Sequence, residues 1–119
     1  MINALLVGLG GAIGAMLRYG LGTLLGAHMF PYATLIINIA GSVLIGALWA
    51  GCAASEWFEQ WGRFLLVTGL LGGFTTYSAF SLEVVALVQD ARYAAAGTYV
   101  LVTLTGCLAG CWLGYRWLA

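Results

Sequence analysis

The chain has 119 residues, 63% of them hydrophobic and 7% charged, with zero formal net charge and a mean hydropathy of +1.02. Four arginines and four acids cannot cover the surface of a soluble domain of this size, nor do they form the basic face that nucleic acid binding requires. The composition is that of an integral membrane protein.

The charges Arg18, Glu56, Glu59, Arg63, Glu83, Asp90, Arg92 and Arg116 lie mostly between long apolar runs. They divide the chain into four spans, about 2–25, 32–54, 64–89 and 93–117. Each exceeds the roughly 20 apolar residues that a crossing helix needs. The short connections predict one all-α membrane domain of four transmembrane helices covering residues 1–119.

The first span opens on Met1-Ile2-Asn3-Ala4, with no basic segment ahead of a long apolar run, so it is expected to be a mature span rather than a cleaved leader. Gly10 and Gly14, and again Gly22 and Gly26, stand four apart, a spacing that lets a neighbouring backbone approach closely. Arg18 would be costly facing lipid near mid-depth, so it faces protein, water or an interface reached by snorkelling.

In the second span Thr34, Asn38 and Ser42 recur at steps of four, with Gly46 continuing the line, so the polar groups stack on one face. An unpaired amide in hydrocarbon costs several kcal/mol, so Asn38 has a partner or a polar passage beside it. The stripe reads either as glue between helices or as a pathway for something polar.

The third span would measure about 39 Å as one straight helix, against a hydrocarbon core of about 30 Å, so it can lose a turn and still cross. The pair Gly72-Gly73 offers a weak point, and Thr75, Thr76 and Ser78 can bond the backbone groups that a break releases. Such breaks aim carbonyls at cations and helix N-termini at anions, and a packing kink is the alternative. Beyond it Tyr77 and Phe80 share a face if helix resumes, either as packing or with ring edges turned to a small anion. Glu83 either pairs with Arg18 or caps a polar vestibule.

The fourth span places Tyr99, Thr103 and Cys107 at steps of four, followed by Cys111, with Gly106, Gly110 and Gly114 in a second row about 100° round the helix. One row can pack while the other faces polar contents. Cys52, Cys107 and Cys111 form an odd set without His or acids at ligand spacing, so neither a disulfide framework nor a zinc site is implied. If the spans alternate, Arg63 and Arg116 fall on the side of the N-terminus and Arg92, joined by Arg18 if it snorkels to that interface, on the other, which gives the positive-inside rule almost no vote. Either the arginines serve packing, or the chain inserts both ways and pairs with an inverted copy of itself.

The string Gly72-Gly73-Phe74-Thr75-Thr76-Tyr77-Ser78-Ala79-Phe80-Ser81-Leu82-Glu83, preceded by Thr34-Leu35-Ile36-Ile37-Asn38-Ile39-Ala40-Gly41, resembles the small bacterial fluoride channels, the Fluc or CrcB family. The likeness extends over the whole chain, including the glycine-rich first helix and its Arg18. It implies a fluoride-selective passive channel of the bacterial inner membrane that relieves fluoride toxicity, and not an enzyme. It also implies an antiparallel dual-topology dimer with its third helices broken near mid-membrane and a sodium ion buried where they cross.

By position, the resemblance makes the backbone carbonyls of Gly72 and Thr75, from both subunits, the sodium ligands. Tyr77 and Phe80 match the family's fluoride-lining phenylalanines, Asn38 its pore asparagine, and Tyr99, Thr103 and Cys107 its polar track. Ser78 and Ser81 add hydroxyls to the path, and Arg18 and Glu83 are vestibule or structural charges. Two positions depart from the pattern. Tyr77 brings a hydroxyl that bonds fluoride, blocks the path or turns aside, and Cys107 brings a thiol, a weak donor, in place of a stronger polar group.

Several weak donors suit a strongly hydrated anion that must also leave, whereas a fixed arginine at mid-depth would hold it. A cell interior at negative potential drives the anion outward by about 2.3 kcal/mol per 100 mV, so export needs no ATP motif or redox site. Two rivals compete with this reading. Small four-helix multidrug exporters use a glutamate in the first helix, and this first span has no acid. In a non-transporting assembly subunit, every polar stripe would be helix glue.

Overall fold

The computed structural model describes residues 1–119. It is helical throughout: α1 spans Ile2–Leu25, α2 Tyr32–Cys52, a π-helix (π1) Phe58–Leu71, α3 Gly72–Phe74, α4 Tyr77–Gln89 and α5 Tyr93–Leu118. Four stretches, Ile2–Leu25, Tyr32–Cys52, Phe58–Gln89 and Tyr93–Leu118, are long and apolar enough to cross a membrane. The bundle measures 50 × 29 × 22 Å, so its long axis exceeds the hydrocarbon core of about 30 Å. Only 19 of the 119 residues are buried, and large apolar side chains such as Leu5, Met16, Leu101 and Leu108 point outward. That apolar exterior is what a lipid solvent requires.

Local signals end the helices. Gly26, at φ 76° and ψ 175°, takes an extended positive-φ conformation open to glycine and stops α1. Pro31 precedes the first residue of α2, where its missing N–H costs nothing. Between α4 and α5, Ala91 N–H bonds Val88 O at 3.0 Å and Arg92 N–H bonds Leu87 O at 2.8 Å, a Schellman closure that sets Ala91 at φ 57°.

The third helical stretch begins at Phe58, ahead of the span expected from residue 64. Ser55 Oγ accepts Phe58 N–H at 3.4 Å, and Glu59 pairs with Arg63 at 3.1 Å one turn on. Charges exclude this turn from lipid without excluding it from helix. The first 14 residues of the stretch, Phe58–Leu71, are π-wound, and just past them Gly72 N–H reaches back to both Val67 O and Gly69 O. The second span ends at Cys52 rather than residue 54, where the chain turns and Ser55 N–H bonds Cys52 O at 2.9 Å.

Packing runs in two pairs, α1 against π1 and α3, and α2 against α5. In the first pair backbone meets backbone: a Cβ on Gly10 would overlap Leu65 O, one on Gly14 would overlap Leu70 O, and one on Gly73 would meet Gly11 O at 2.5 Å. In the second, Cβ atoms on Gly46 and Gly114 would overlap Cys111 O and Val43 O. The glycine row of α5 therefore packs on α2, which turns Thr103 and Cys107 to another side. α4 lies on α5 through a core of Leu35, Phe80, Leu87, Ala96 and Tyr99.

Candidate functional site

Between α3 and α4 two residues leave the helical conformation, Thr75 at φ −83°, ψ 156° and Thr76 at φ −149°, ψ 116°. Thr75 still closes the turn behind it, its N–H and its hydroxyl both donating to Leu71 O at 3.0 and 2.9 Å. Thr76 N–H donates instead to Asn38 Oδ1 at 2.8 Å, while Asn38 Nδ2 donates to Thr76 O at 3.0 Å. The amide of α2 thus clamps one residue of the interruption, Thr76, with an acceptor for its N–H and a donor for its C=O. Ser42 Oγ, a turn further along α2, donates to Asn38 O at 2.8 Å.

On the α4 side, Thr76 Oγ1 accepts Ala79 N–H at 3.1 Å and so caps the new helix. In an unbroken helix Thr76 N–H would bond Gly72 O and Ala79 N–H would bond Thr75 O. Both donors are taken by side chains, and no backbone bond of the junction ends on either oxygen. A third released carbonyl, Gly73 O, accepts Arg18 Nε–H at 3.1 Å. This sets a fixed positive charge at the C-terminal end of α3, where the helix dipole favours it.

The interruption opens on a cleft of about 380 Å³, whose walls include Asn38, Gly72, Thr75, Tyr77, Phe80, Thr103 and Cys107. Tyr77 is 75% exposed and Phe80 only 5%, their rings in edge contact at 5.4 Å between centroids. Phe80 also stacks edge-on against Tyr99 at 5.0 Å, and Tyr99 against Phe30 at 5.4 Å. The aromatic pair is therefore the start of a ladder that passes from the cleft into the core. The Thr103 hydroxyl on the cleft wall is buried and has no hydrogen-bond partner in the protein.

At the far end of the ladder, Glu83 accepts Tyr99 O–H at 3.2 Å on one oxygen and Thr34 O–H at 3.0 Å on the other. Glu83 also lines a second hollow of about 300 Å³ beside His28, Met29 and Asp90. Arg18 and Glu83 do not pair; each is held by a different neighbour. Ser78 and Ser81 stand on the exposed side of α4, Ser81 Oγ donating to Tyr77 O at 3.0 Å and Ser78 Oγ lying 3.3 Å from Thr76 Oγ1. The cleft thus unites Asn38, Gly72, Thr75, Tyr77, Phe80, Thr103 and Cys107, with Tyr99 and Glu83 behind it. Ser78 and Ser81 stay outside.

Sequence reasoning left out three participants: Thr34 as a hydrogen-bond donor to Glu83, the Thr76 N–H and C=O held by Asn38, and Gly73 O held by Arg18. The steps of four on α2 pointed at Thr34, but no local signal marked the other two. His, Cys, Asp and Glu side chains form no group of three that could hold a metal ion, so a cation here would depend on backbone oxygens.

The sequence model of the family described as CrcB-like protein, Camphor Resistance (CrcB), matches residues 5–115. The chain belongs to the CrcB family. Among its relatives within that family, a protein of Hyphomonas neptunium named fluoride-specific ion channel FluC is 44% identical to it, with 98% of each chain covered. Proteins of the same name from Paramagnetospirillum magneticum and Anaeromyxobacter dehalogenans are 43% and 42% identical, covering 97% and 100% of this CrcB chain and 94% and 99% of their own.

Proposed function

We propose that this membrane protein is a fluoride-selective passive channel that lets fluoride leave the cell. The observation that carries the reading is 44% identity, over 98% of both chains, to a protein named for that activity. The cleft supports it chemically. Along it stand the second N–H of the Asn38 amide, the unpaired Thr103 hydroxyl, the Cys107 thiol and the edges of Tyr77 and Phe80, with no basic side chain on the wall. Such donors can replace the water of a small anion in steps without trapping it.

The proposal includes an inverted second copy, with the interruption near mid-membrane in an inner membrane. The near-balance of arginines between the two sides fits dual insertion. An open cleft with the exposed Tyr77, Leu104 and Leu108 on its rim gives a second chain an apolar and polar face to complete. It also includes a sodium ion held by the Gly72 and Thr75 carbonyls of both chains, and the residues present fit that role because both oxygens have lost their helical donors. A bound cation there supplies positive charge that lowers the cost of an anion nearby.

The test is efflux from liposomes, read with a fluoride electrode and repeated with chloride. Fluoride release without chloride release is expected. Equal rates for both ions would refute selectivity, and release of neither would refute the channel.

A further inference from the structure

Thr103 and Cys107 lie one turn apart on α5 and both line the cleft, whereas Cys52 and Cys111 do not. Thr103 is 7% exposed, and its hydroxyl has no partner in the protein. Buried hydroxyls are almost always paired, so a polar species entering the cleft completes this one. A thiol one turn away on the same wall shares that polar space. All three cysteines are free and partly buried, and Cys107 alone among them lines the cleft.

We propose that Cys107 is a binding site for thiol-seeking soft cations and that occupation of it closes the polar path along α5. The inference rests on the channel reading of the cleft. Sulfur is the soft donor on a wall whose other polar groups are amide, hydroxyl and backbone carbonyl, so it selects soft cations over the hard ions of ordinary media. With methylmercury the step is R–SH + CH₃Hg⁺ → R–S–HgCH₃ + H⁺: the S–H bond breaks, an S–Hg bond forms, and the proton goes to water. The adduct puts an apolar methyl group and a heavy atom beside the Thr103 hydroxyl. It removes the thiol donor and fills the space through which an anion would pass.

The experiment uses full-length protein in fluoride-loaded liposomes treated with methylmercury chloride. Efflux is read relative to the same sample before treatment, and the adduct is mapped by peptide mass spectrometry. The wild type is expected to carry the adduct on Cys107 and to lose at least about tenfold of its efflux, a loss reversed by excess dithiothreitol. Cys107→Ser and Cys107→Ala should each keep their own untreated rate, while the double variant Cys52→Ser, Cys111→Ser should stay sensitive. An adduct confined to Cys52 or Cys111, or one on Cys107 with efflux unchanged, overturns the proposal. Absence of efflux before treatment refutes the channel reading and the closure with it, and the mapped adduct alone then decides the cation site.

Discussion

Replacing Asn38 tests whether its amide serves first as the clamp of the interruption. In Asn38→Ala both side-chain partners of the Thr76 backbone are lost, the 2.8 Å bond from its N–H and the 3.0 Å bond to its carbonyl. A buried group stripped of its partner costs about 1–3 kcal/mol. Thr76 is only partly buried, so the lower half of that range applies to each group, about 2–4 kcal/mol for the pair. In unfolding equilibrium this is roughly thirty-fold to several hundred-fold. Asn38→Asp separates clamp from pore. An ionised carboxylate still accepts Thr76 N–H but sets its second oxygen against Thr76 O, whereas a protonated one regains the donor. Denaturant unfolding in mixed micelles should show Asn38→Asp weakened at neutral pH and recovering toward wild type on acidification, with Asn38→Ala weakened throughout. An Asn38→Ala protein within about 0.5 kcal/mol of wild type would show that the clamp carries no weight.

Gly14→Ala forces its new methyl onto Leu70 O and should cost about 1–3 kcal/mol in the same assay, while Gly20→Ala, with open space around it, should be neutral or slightly stabilising; equal effects would remove the close α1–π1 contact. Arg18→Met should lose about 1.5–3 kcal/mol by leaving Gly73 O unpaired, with Arg18→Lys intermediate, and an unchanged Arg18→Met would show that bond to be idle. Ala91→Gly should raise stability by about 1 kcal/mol, because Ala91 sits at φ 57°; a loss would mean that the Ala91 methyl stabilises the turn by more than the strain it carries. Exchanging sodium for a bulky organic cation should lower the melting temperature in proportion to the logarithm of sodium concentration, and sodium and the organic cation giving one melting curve would sink the proposed cation site.

The four apolar helices were legible because length and charge alone define a crossing helix, and the polar steps of four on α2 and α5 were legible because helical periodicity puts them on one face. What the residues could not disclose is tertiary. Asn38 and Thr76 lie on different helices, and nothing near either names the other. Glu59 and Arg63 marked a boundary of the lipid but not of the helix, so the third helix began a turn and a half earlier than the charges implied. The π-winding of Phe58–Leu71 was invisible for a related reason: widening a helix redistributes its hydrogen bonds without requiring any particular side chain. For Arg18 and Glu83, a pairing of opposite charges was one of the readings open. The structure gives Arg18 a carbonyl and Glu83 two hydroxyls, so each charge is met by neutral dipoles instead.

The interruption also explains which oxygens become available, something that a glycine pair does not decide. A helix that frays at Gly72-Gly73 releases the carbonyls of Gly72, Gly73, Phe74 and Thr75 alike, since each has lost the N–H four residues on. Here the released set is edited by side chains. Asn38 Oδ1 draws Thr76 N–H away from Gly72 O, Thr76 Oγ1 draws Ala79 N–H away from Thr75 O, and Arg18 occupies Gly73 O. Asn38 Nδ2 takes Thr76 O as well, so Gly72 and Thr75 are then the two cleft-lining residues of the junction whose carbonyls neither a backbone nor a side-chain donor reaches. Conservative changes at Asn38, Thr76 and Arg18 should therefore alter any cation affinity of this segment, although none of the three side chains is proposed to touch the ion.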